Sequence, residues 1–158
     1  GGQNWSEIYA GNYDEKLKKI QFINDNNGWA VGFYGTFLKT SDGGTTWTKK
    51  KIFIGNWFYS VDFTDLLSGW IAGTDGLLIH TTDGGENWSQ QIITSNNVND
   101  IFFVNENIGW TVGSWGTIFH TTNGGITFIG DENNFNQSNY YQYSLFFKIM
   151  NKKIKIYM

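Results

Sequence analysis

The side chains able to do chemistry are few. Four carboxylates, Asp62, Asp65, Asp75 and Asp100, stand near loops and outside the repeated turns described below. Two of them facing a sugar, roughly 5 to 9.5 Å apart, would supply the acid and base of a glycosidase. Asp75 sits in Thr74-Asp75-Gly76, where Asp-Gly is ordinary hairpin chemistry. Asp62 falls within a strand, and its counterparts in the neighbouring repeats are Gln21 and Phe102. At most one repeat therefore offers a carboxylate there, and no complete catalytic pair is expected. His80 and His120 occupy equivalent positions, with Lys39 at the third. A metal needs at least three converging ligands, so both read as half-exposed strand positions, and no metal or cofactor is expected. The groups best suited to binding are the aromatic residues Tyr34, Trp57 and Trp115, together with Asp75, in loop segments where partner contact is common. The bland alternative is that they pack on neighbouring loops.

What positions these groups is a repeat. Thr81 to Trp88 reads Thr-Thr-Asp-Gly-Gly-Glu-Asn-Trp, and the pattern recurs upstream as Thr40, Asp42, Gly44 and Trp47 and downstream as Thr121, Asn123, Gly125 and Phe128. The step is 41 residues from Asp42 to Asp83 and 40 from Asp83 to Asn123. A period of this length points to a propeller or solenoid. Each copy has a turn's logic: Gly supplies positive φ, and the carboxylate can accept from backbone N–H groups just after it. The Thr hydroxyl can close the other side, and the aromatic ring can fold back over the turn. A structural role for Asp42 and Asp83 far outweighs a catalytic one.

A second element keeps the same steps: Gly28-Trp29-Ala30-Val31-Gly32, Gly69-Trp70-Ile71-Ala72-Gly73 and Gly109-Trp110-Thr111-Val112-Gly113. The turn pattern Ser/Thr-x-Asp-x-Gly-x-x-Trp/Phe resembles the Asp-box, or BNR repeat, of sialidases, sortilin-type receptors, xyloglucan-cleaving glycoside hydrolases and photosystem II assembly-factor propellers. Gly-Trp-x-x-Gly followed by an Asp-box is most similar to the photosystem II stability/assembly-factor-like group, over residues 1 to about 130. The resemblance implies an all-β propeller of four-stranded antiparallel blades with Asp-box hairpins between the third and fourth strands. It implies binding of a protein or glycan through the loop face, with no catalysis. Two other readings stay open: part of a xyloglucanase-like hydrolase whose carboxylates lie mostly outside this segment, and a true photosystem II assembly factor. In that last family a basic, Arg-containing patch is implicated in binding the reaction-centre protein, and it has no counterpart here.

Composition narrows the classes further. The 158 residues are 40% hydrophobic and 18% aromatic, ample for a core. A net charge of −3 leaves no electrostatic footprint for nucleic acid, and no apolar run is long enough for membrane insertion. Cys and Pro are absent, and all 11 basic residues are Lys. Without Arg, the bidentate carboxylate fork of a sialidase cannot be built.

Taken in order, residues 1–10 read as the last strand of a preceding blade, with Gly2 and Trp5 aligned to the end of another acidic turn. Residues 17–53, 58–93 and 98–130 then make three blades of strands A to D, and residues 131–158 make a degenerate tail or a partial further blade. Within the first blade the strands are expected at 18–23, 29–33, 37–40 and 47–53. The A–B and C–D turns fall on one rim, the B–C turns and D–A loops on the other. This organisation implies a piece of a longer chain whose remaining blades are its partners. The family resemblance implies a secreted, periplasmic or cell-surface protein of a bacterium.

Overall fold

Short alternating runs separated by Gly, Asn and Asp become the strands of three meanders. The computed structural model describes residues 4–8 and 16–125. The first sheet is β1 (Leu17–Phe22), β2 (Gly28–Gly32), β3 (Thr36–Thr40) and β4 (Thr48–Lys51), and the second is β5 (Phe58–Phe63), β6 (Gly69–Gly73), β7 (Leu77–Thr81) and β8 (Ser89–Ile92). The third holds β9 (Val98–Phe103), β10 (Gly109–Gly113) and β11 (Ile118–Thr121). Every pairing is antiparallel between consecutive strands. β5 lies beside both β1 and β9, so the first strands of the three sheets are neighbours. The architecture is that of an all-β propeller segment. The last strand of the blade expected at 98–130, its Phe128 and the tail at 131–158 lie outside the described residues. Residues 4–8 carry no strand, and Trp5 is exposed.

The Gly-Trp element explains how the sheets stack. Phe63 of β5 pairs across the strands with Gly69 of β6, and its ring lies so close that a Cβ on Gly69 would sit 2.5 Å from it. Glycine lets the ring lie down on the sheet. The other face of that ring takes Trp29 of the first sheet, parallel at 3.8 Å. The same sandwich recurs one step on, with Phe103 over Gly109 and Trp70 stacked on it at 3.8 Å. In each repeat the glycine receives a ring from its own sheet, and in the first two the tryptophan beside it covers the ring of the next. Around the first sandwich pack Val31, Phe37, Val61, Ile71 and Ile79, and around the second Ala72, Leu78, Val98 and Ile101. Aromatic rings dominate because each buries more area than any aliphatic neighbour.

Strand β4 is shorter than the 47–53 expected. Ile52 N–H leaves the ladder to donate to Gly35 O at 2.9 Å, and Phe53 turns to φ +47°. The β6–β7 and β10–β11 connections, Thr74–Gly76 and Ser114–Gly116, are tight turns whose central residues, Asp75 and Trp115, are left-handed.

Candidate functional site

On one rim, each turn after the third strand is closed by its own side chains. Asp42 accepts from Thr40 Oγ1 at 2.8 Å, from Thr46 N–H at 2.9 Å and from Thr46 Oγ1 at 2.6 Å, while Thr40 Oγ1 accepts from Gly44 N–H at 3.0 Å. Asp83 accepts from Thr81 Oγ1, Glu86 N–H, Asn87 N–H and Asn87 Nδ2, and Gly85 N–H donates to Thr81 Oγ1 at 3.0 Å. These donors favour the charged carboxylate and hold both acids down at about 2: Thr46 is the largest contributor for Asp42 and Asn87 for Asp83. Asn123 accepts from Thr121 Oγ1 at 2.9 Å, and Gly125 N–H donates to Thr121 Oγ1 at 2.8 Å. Trp88 meets Phe37 and Phe63 edge-on, as Trp47 meets Phe22. Gly43, Gly84 and Gly124 donate their N–H groups to carbonyls of the preceding β1–β2, β5–β6 and β9–β10 turns. A second series of turns shares this rim, with Asn24, Asp65 and Asn105 each accepting two N–H bonds from the residues two and three positions on.

The inner strands hold the remaining carboxylates. Asp62 accepts from Gln21 Nε2 at 2.6 Å and from Phe103 N–H at 2.5 Å, tying all three sheets. Gln21 also accepts from Phe63 N–H at 2.6 Å. Burial raises the Asp62 carboxyl, against the pull of Phe103 N–H and Gln21. Asp100 accepts a very short bond from Ser60 Oγ and pairs with Lys19 at 3.4 Å. Burial pushes that carboxyl up, but Ser60 and Lys19 outweigh it and leave it lowered. Asp62 lines an open groove of about 570 Å³ with Asp65, Phe102 and Glu106, yet its two oxygens are engaged between sheets. His80 and His120 stack on Trp70 and Trp110 at 4.5 and 4.7 Å, and burial lowers the His80 pKa. Among the described residues no three His, Asp or Glu side chains gather as metal ligands. The inter-sheet role of Gln21 and Asp62 escapes sequence reasoning. Their signal was a polar pair one period apart, each just before the phenylalanine that ends its strand.

The opposite rim carries the β2–β3 and β6–β7 turns and the loops that lead into β5 and β9. Gly35 N–H donates to Asn56 O at 2.8 Å and Thr74 N–H to Trp57 O at 3.0 Å, so turn and loop are tied. This tie brings Tyr34 and Trp57 together, with Phe33 as a third member. Phe33 and Trp57 stack at 4.4 Å, Tyr34 stands edge-on to both at 6.5 and 6.3 Å, and Lys18 Nζ lies 4.9 Å over Phe33. Tyr34 remains 51% exposed and Trp57 38%. Asp75 and Trp115 take the Tyr34 position in the other two turns. Trp115 is 90% exposed and stands outside the cluster, while Asp75 N–H donates to Asn97 Oδ1 at 3.2 Å. Burial, and then Asp75, raises the Tyr59 phenol. Tyr34, Asp75 and Trp115 share left-handed φ of +57°, +54° and +63°, each followed by a glycine. At Gly76 glycine is obligatory, because a Cβ there would collide with the Thr94 carbonyl.

Residues 2–95, more than half of the chain, match the family of the photosynthesis system II assembly factor YCF48. The chain belongs to that family. The photosystem II assembly lipoprotein Ycf48 of Prochlorococcus marinus is 42% identical over 48 residues, which are 30% of this chain and 14% of that one. A solved structure of YCF48 bound to D1 peptide is 30% identical with a TM-score of 0.63, over 70% of this chain and 39% of that one. YCF48 from Cyanidioschyzon merolae is 30% identical with a TM-score of 0.64, over 72% and 39%. An ancestral GH74 enzyme, 16% identical with a TM-score of 0.59 over 73% of this chain and 18% of that one, shares the fold alone. The chain thus spans 14% of the length of its curated YCF48 relative and 39% of each YCF48 structure.

Proposed function

We propose that the chain is a non-catalytic propeller segment that holds a protein partner of photosystem II assembly against the rim bearing Phe33, Tyr34 and Trp57. The observation that carries this reading is the aromatic cluster, gathered from a turn and a loop and left half exposed. Tyr34 adds to it: a bulky side chain at φ +57° costs roughly 1–2 kcal/mol against the extended or helical regions, and a turn selected for stability alone would place Asn or Gly there. The YCF48 structure with a D1 peptide supports a peptide as the ligand class, and the lipoprotein relative supports a site of action outside the cytoplasm. On the other rim the acidic turns spend their carboxylates on their own backbone, which supports a structural part for Thr40, Asp42, Gly44, Trp47 and their counterparts.

Titration of a D1-derived peptide into the chain, followed by tryptophan fluorescence and calorimetry, tests the reading. Saturable binding is expected, weakened at least about tenfold, or about 1.4 kcal/mol, by Trp57→Ala. Tyr34→Asn is expected to weaken binding while raising stability by roughly 1 kcal/mol, because the strain is relieved. Binding that both variants leave intact would overturn the assignment to this rim. Binding of xyloglucan oligosaccharides instead would restore a glycan partner.

A further inference from the structure

An apolar pair stands on the rim of the acidic turns. Asn24, Asp65 and Asn105 close the β1–β2, β5–β6 and β9–β10 turns with the same two N–H bonds. The two residues that follow are Asp25 and Asn26 in the first turn, Glu106 and Asn107 in the third, but Leu66 and Leu67 in the second. Leu66 is 48% exposed and Leu67 57%. The turn itself does not need them, since the polar pairs on either side make the same bonds. β5 has a neighbouring sheet on each side, so the exposure of the leucines belongs to the turn.

The surroundings of the pair are acidic. The turns of this rim, residues 23–27, 41–46, 64–68, 82–87, 104–108 and 122–125, hold Asp25, Asp42, Asp65, Asp83, Glu86 and Glu106 and no lysine. Lys39 and Lys50 reach the rim from their strands, and their Nζ atoms are held there by Gly84 O at 3.1 Å and by Glu86 O at 2.8 Å. Asp65 and Glu106, beside the leucines, line the groove that Asp62 enters. A segment that fits this surface carries apolar side chains flanked by cations.

Residues 147–158 of the chain have that composition. They contain Lys148, Lys152, Lys153 and Lys155, no carboxylate, and Ile154 and Ile156 at alternate positions. They lie outside the described residues, but Gly125, the last residue described, is already in a turn of the acidic rim. We infer that residues 147–158 dock on this rim of their own chain, with Ile154 and Ile156 against Leu66 and Leu67 and the lysines beside Asp65 and Glu106. Alternate residues of an extended segment share one face, and lysine stems are long enough to reach the carboxylates at its edges. Exposed ion pairs contribute little one by one, so the charges attract the segment and the leucines fix where it lies.

Carbodiimide coupling of the full 158-residue chain, which joins a carboxylate to an amine in contact with it, tests this by peptide mapping. Links from Asp65 or Glu106 to Lys152, Lys153 or Lys155 within one chain are expected. Leu66→Asp with Leu67→Asn, which copies the first turn, should lower that coupling about tenfold, although it adds a negative charge. Ile154→Ser with Ile156→Ser should do the same with every charge and every described sheet intact, while Trp57→Ala should leave the coupling unchanged. Links confined to Asp131 and Glu132 would overturn the inference, as would no links at all. Links found only between light and heavy chains in an isotopic mixture would give the surface to a second copy instead. Coupling that survives both double substitutions would reduce the contact to charge attraction and contradict a docking site at the leucines.

Discussion

The joint between the first and second sheets and the joint between the second and third use the same ring stack at the same 3.8 Å, yet they are locked differently. In the second joint His80 lies flat on Trp70, and Trp70 Nε1 donates to Gly124 O at 3.1 Å. In the first joint Lys39 replaces the histidine, and its Nζ takes the equivalent carbonyl, Gly84 O, at 3.1 Å. Trp29 Nε1 is left buried without a partner. The apolar part of the joint is fixed by the repeat, and the polar part is negotiated residue by residue. One long cation in a strand position decides whether the neighbouring indole is satisfied.

The largest effect should come from removing the stacked indoles. Trp70→Ala is expected to cost roughly 3–5 kcal/mol in urea denaturation, and Trp29→Ala about 1 kcal/mol less, because no hydrogen bond is lost with it. Trp→Phe at the two sites isolates that difference, since it keeps a ring and deletes the N–H. Equal costs at both positions would show that the two joints are not distinguished by the indole bond. Next in size is Asp62→Ala, which leaves the buried Phe103 N–H without its acceptor at an expected cost of roughly 1–3 kcal/mol. The loss should reach both joints but fall harder on the second, because Gln21 Nε2 keeps Phe63 O as an acceptor, and is read as faster amide exchange in β9 than in β1.

Acidification should divide the molecule along another line. The carboxyls of Asp42 and Asp83, held at about 2 in the folded state, sit below the ordinary value of about 3.9. Their contribution is present above that value and is lost as pH falls toward 2. Asp62 is shifted the other way by burial, so its contribution is present at low pH and is lost as pH rises through its folded value. Thermal midpoints should therefore fall as pH drops from about 4 toward 2. Asp83→Asn should make that fall shallower, as Asn123 already does naturally in the third turn. An unchanged slope would remove the acidic turns from the stability of the fold.

Much of this was legible before the structure. The steps of 41 and 40 residues between Gly-Trp elements and acidic turns place the strands, because hairpin chemistry at Asp-Gly and alternation between turns leave little freedom. The reason for glycine beside tryptophan was not legible. It depends on Phe63 and Phe103 lying across their own sheet, a cross-strand contact of the kind that shields glycine, and a linear sequence does not say which way a ring falls. The partners of Gln21 and Asp62 were hidden for a related reason: a period of two tells the two faces of a strand apart but does not name the neighbouring sheet. On the aromatic rim, Tyr34 and Trp57 were visible as loop residues. Their union with Phe33 follows from the tie between Gly35 and Asn56, which no local pattern announces.

In the proposed division of labour, one rim is held by self-closed acidic turns and the other does the recognising. Backbone NMR shifts during titration of a D1-derived peptide test it most directly. Shifts are expected at residues 32–35 and 54–58, with the turns at Asp42 and Asp83 unmoved. Shifts centred on those acidic turns, with Tyr34 and Trp57 silent, would contradict it.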